Sequence, residues 1–68
     1  MEKFRAEYVV SLRAEAARLR SLVSRTEAMV VSKLMGPQLA GPLKDSLDAA
    51  ADALDDAAQS VSPAASKP

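Results

Sequence analysis

The chain has 68 residues, room for one domain and no more. It contains neither cysteine nor histidine, which excludes disulfides and leaves zinc without good ligands, so a chain this short looks to oligomerisation or a partner protein for its stability. Nine basic residues balance nine acidic ones, and this neutrality argues against nucleic acid as the main ligand, because phosphate binding rests on a concentrated positive field.

Residues 2–35 contain no glycine or proline and are rich in Ala, Leu, Arg and Glu, a composition that favours helix. Apolar residues recur at helical spacing through Phe4, Tyr8, Val9, Leu12, Ala16, Leu19, Leu22, Val23, Met29, Val30 and Leu34, with Thr26 and Lys33 interrupting the stripe. The pattern predicts one long first helix over about 2–35, spanning ~50 Å. No segment approaches the ~20 apolar residues that cross a bilayer. The first residues are charged and lack a signal peptide's apolar stretch, so the expected location is cytoplasmic, with no membrane contact.

Punctuation follows at Met35-Gly36-Pro37-Gln38-Leu39-Ala40-Gly41-Pro42. Gly36 suits the left-handed conformation that closes a helix, and Pro37 forbids its continuation. Pro42 suits the first turn of the next helix, where its missing N–H breaks no bond. A second helix is therefore expected over about 42–61, with its stripe at Leu43, Leu47, Ala50, Ala51, Leu54, Ala57, Ala58 and Val61. A connection this short makes the helices antiparallel neighbours. The fold class is all-α, an antiparallel two-helix hairpin over 1–61, and 62–68, with two prolines and nothing to bury, reads as a disordered tail.

Facing Leu34 with Leu43 across the turn aligns Val30 with Leu47, Val23 with Leu54, Leu19 with Ala58 and Ala16 with Val61. The same alignment sets Arg25 opposite Asp52, and Arg18 and Arg20 near Asp55 and Asp56. It also suits the charge split, since residues 1–35 total +3 and residues 36–68 total −3. Phe4, Tyr8, Val9 and Leu12 then overhang the second helix by about a dozen residues in all, taking both aromatics with them. An overhang with anchors at i, i+4, i+5 and i+8 reads as a helix that docks in a partner's groove. Phe4, Tyr8, Val9, Leu12 and Leu19 are the candidate partner-binding residues.

The carboxylates read as a solvated face, because two helices cannot enclose a pocket that would tune them for acid–base work. Asp48, Asp52, Asp55 and Asp56 lack the loop ligands that calcium sites draw upon. No catalytic residue, metal, cofactor or small-molecule substrate is therefore expected.

The stretch from Lys33 to Leu54, with Gly36 at the break, Gln38 two residues later and a Leu/Ala-rich helix after it, resembles the small E-type co-chaperones of type III secretion needle subunits (the YscE/PscE group). It covers about a third of the chain. The resemblance implies a cytoplasmic bacterial hairpin that stabilises a larger chaperone of tetratricopeptide-like repeats and, with it, keeps the needle subunit from polymerising early. The chain departs from the pattern in showing no break that would set off a short N-terminal helix, and in a second helix poor in large aliphatic residues. The expected function is a non-enzymatic co-chaperone or adaptor that binds a helical partner. The alternative is a self-assembling module, a homodimeric four-helix bundle.

Overall fold

The computed structural model describes residues 2–61 and contains two helices, α1 (Glu2–Val31) and α2 (Pro37–Val61), packed against each other as a hairpin. The tail expected over 62–68 lies outside the described residues.

Both helix boundaries at the turn differ from the sequence reading, and each has a local cause. α1 ends at Val31, not near 35. Ser32 N–H donates to the Ala28 carbonyl, Lys33 N–H to Val30 at 2.9 Å, and Leu34 N–H to Met29 at 2.9 Å. That crossed pair of bonds is a Schellman closure, and it requires a left-handed residue just past the helix end. Lys33 takes that role, with φ of 63°, and Gly36 does not. The closure satisfies carbonyls that a helix end otherwise leaves unpaired.

Gly36 instead starts α2. Its carbonyl accepts from Leu39 N–H at 3.1 Å and Ala40 N–H at 3.0 Å, and Pro37 occupies the first helical position, where a missing N–H is harmless. Pro42 accordingly lies inside α2, not at its start. There it cannot donate to the carbonyl of Gln38, four residues back, and its ring crowds that carbonyl. The helix tolerates this close to its exposed first turn, where Gln38 is open to water.

The seam between the helices is built from small side chains. Among the described residues the fully buried ones are Ala16, Ala51 and Ala58, joined by Ala40 and Thr26, and no larger side chain is fully buried. Burying a methyl group on both helices requires the backbones to approach closely. Thr26, which interrupts the stripe in sequence, fits because its hydroxyl donates to the Leu22 carbonyl of its own helix at 2.8 Å. Leu12, Leu19, Leu22, Val23, Val30, Leu47 and Leu54 straddle the alanine line half-buried.

The alignment also differs from the expected one. Asp52 pairs with Arg20, not with Arg25, and Leu34, expected to face Leu43 in the core, is 70% exposed. Starting α2 at Pro37 moves its whole length toward the amino-terminal half of α1. α1 is 30 residues long and α2 is 25, and with Arg13 beside Gln59 the expected dozen-residue overhang shortens to the first two or three turns of α1.

Three stability effects follow. Lys33→Gly removes the cost of a left-handed lysine and should raise stability by about 1 kcal/mol. Gly41→Ala adds a methyl with no atom within 4 Å and should also gain about 0.5–1 kcal/mol. Pro42→Ala should gain more, up to ~3 kcal/mol, as an interior proline predicts; a first-turn proline would leave it near neutral. Thermal and urea unfolding followed by circular dichroism measures all three.

Candidate protein-docking surface

The hairpin has two unlike flanks, set by rows of residues on either side of the alanine line. On one flank, α1 presents Arg13, Arg20 and Glu27, each seven residues apart and so stacked on one face. They meet a polar row of α2. The Arg20 guanidinium bridges two carboxylates one turn apart, with Asp52 at 3.0 Å and Asp55 at 2.7 Å. Arg13 lies 3.7 Å from Asp55 and 3.5 Å from the Gln59 amide oxygen, and Lys44 lies 3.6 Å from Glu27. Asp55 and Asp52 hold the Arg20 guanidinium more firmly protonated than a free arginine.

These pairs are largely solvated, so each is worth at most about 1 kcal/mol. They fix the partners of this alignment, Arg20 with Asp52 and Asp55 and Arg13 with Asp55. Beside the turn, this flank carries an open depression of about 300 Å³ lined by Val30, Val31, Pro37, Ala40 and Gly41, with Glu27 and Lys44 on its rim. It brings together no set of groups suited to catalysis. Among the described residues no three acidic side chains converge as metal ligands, and no helix is long and apolar enough to cross a membrane.

The opposite flank is apolar. From α1 it carries Tyr8, Leu22 and Met29 on one seven-residue spacing, with Glu15 in the same row neutralised by its ion pair with Arg18. The Arg18 hydrogen bond, chiefly, holds the Glu15 carboxyl below the usual glutamate range. From α2 it carries Leu39, Leu43, Ala50, Leu54, Ala57 and Val61, a row with no charge in it. All five aspartates of α2 lie off this row. Leu39 is 63% exposed and Leu43 37%.

The five residues singled out from sequence divide. Phe4 is 71% exposed and Tyr8 50%, so the aromatics are free at the amino-terminal end. Val9, Leu12 and Leu19 are half-buried. Leu12 does not overhang, because neighbouring Arg13 already reaches Asp55 and Gln59 of α2. Sequence reasoning missed Leu39, which it placed in the turn, and assigned Leu34 and Leu43 to the core. The usable signal was the width of the α2 stripe: alanines at 51 and 58 mark one line and Leu43, Ala50 and Ala57 a second beside it.

Arg20→Ala should cost no more than about 1 kcal/mol, whereas Ala51→Leu or Ala58→Leu should cost about 1–3 kcal/mol by forcing the helices apart. Chemical unfolding of the three variants tests whether close backbone approach outweighs the ion pairs. Comparison with known proteins gives no match: no family model, no curated protein and no solved structure is significantly similar to the chain.

Proposed function

We propose that the chain is a non-enzymatic helical adaptor, completed by docking against helices of another polypeptide. The observation that carries this reading is the burial pattern: among the described residues nothing larger than threonine is buried, while one flank exposes an uncharged apolar row and one end exposes both aromatics. At ~25 cal/mol per Å² of apolar burial, methyl groups contribute little against the ordering of 55 helical residues, so a second surface is needed to complete the core. Non-local burial by a partner is how small helical modules meet that shortfall.

The finer version of this reading is a co-chaperone of a type III secretion needle subunit, with a tetratricopeptide-like chaperone as the partner. Its support is the resemblance carried by Lys33–Leu54 and the exposed Phe4 and Tyr8.

Thermal unfolding of the isolated chain tests the general reading. The expected midpoint is low and rises with protein concentration or added partner; a cooperative transition above ~65 °C that ignores both would show a self-sufficient hairpin and overturn it. For the finer version, co-expression with such a chaperone should give a complex that Tyr8→Ala weakens by about tenfold without loss of helicity. Separate elution of soluble chain and soluble chaperone would remove it.

A further inference from the structure

We infer that the uncharged row of α2 is covered by a second copy of this chain, so that two hairpins form a four-helix bundle in which α2 of each lies beside α1 of the other. This rests on the docking reading and names the first partner. Three observations point to self-association. The row through Leu39, Leu43, Ala50 and Leu54 carries no charge along its length, so nothing charged must be desolvated at its centre. The chain is neutral overall, so two copies meet without net repulsion.

The third observation selects the arrangement. α1 holds six basic and four acidic residues, α2 one basic and five acidic, which makes them +2 and −4. Setting α2 beside the partner copy's α1 brings opposite signs together, whereas setting α2 beside α2 opposes two strongly acidic helices. Ion pairs within the chain leave complementary groups over. Among the described residues Arg25, which shares a face of α1 with Leu22 and Met29, has no ion pair, nor have Asp45 and Asp56 on α2. Burying the α2 row in this way leaves exposed Phe4, at the far end of α1, for a different protein.

Sedimentation equilibrium of the full chain from about 1 to 100 µM tests the inference. The expected result is a species of twice the 7.2 kDa chain mass whose dissociation constant rises several-fold from ~0.05 to ~0.5 M salt, as screening weakens the α1–α2 attraction. Leu39→Asp supplies the control, since an acidic residue in the first turn of α2 favours the helix dipole and leaves the hairpin folded. It should retain its helical circular dichroism while raising the dissociation constant by about tenfold or more. A monomer throughout, a dimer tightened by salt, or a dimer indifferent to Leu39→Asp would each overturn the inference. A monomer that unfolds at low temperature overturns only the second copy as occupant; a monomer stable above ~65 °C overturns the docking reading as well.

Discussion

The close approach of two helices through alanine is the constraint from which the rest of this structure follows. With methyl groups at Ala16, Ala51 and Ala58 fully covered, the backbones meet where leucines would otherwise interdigitate. The leucines and valines are displaced to either side of the line and remain half-buried. A seam of this kind defines orientation well, because any larger side chain in it would hold the helices apart. It contributes little apolar burial per residue, and that leaves a flank in need of cover.

The turn sets how the helices are aligned along that seam. A lysine in the left-handed region closes α1 three residues before the glycine suited to the task, and the glycine then serves to start α2. The consequence reaches the other end of the molecule. Because α2 begins at Pro37, its carboxyl-terminal turns run alongside Leu12 and Arg13, and only the first turns of α1 extend beyond. The strain of Pro42 within α2 accompanies this arrangement.

Charge divides the flanks. Arg13, Arg20 and Glu27 tie down one side through Asp55, Asp52 and Lys44, and a partner docking there would have to displace solvated ion pairs. The other side offers a row of α2 in which no charge interrupts the apolar residues. The two flanks of the hairpin therefore differ in character, and uncharged apolar exposure lies on the α2 flank as well as at the aromatic end that the sequence brings first to notice.

Residue pattern alone determined the two helices, their antiparallel packing and the likeness of opposite charges facing one another, because periodicity, glycine and proline act locally. The exposure of Phe4 and Tyr8 was also legible, since α2 ends before it reaches them. The tertiary structure decided the alignment and therefore which leucines are exposed. Sequence pairing of Leu34 with Leu43 satisfied an apolar seam as well as the true alignment does, because a helix stripe repeats every turn and several slides look alike. Only the backbone at Lys33 and Gly36 distinguishes them: a left-handed lysine and a glycine that accepts the first bonds of α2 are conformations that residue type permits without dictating.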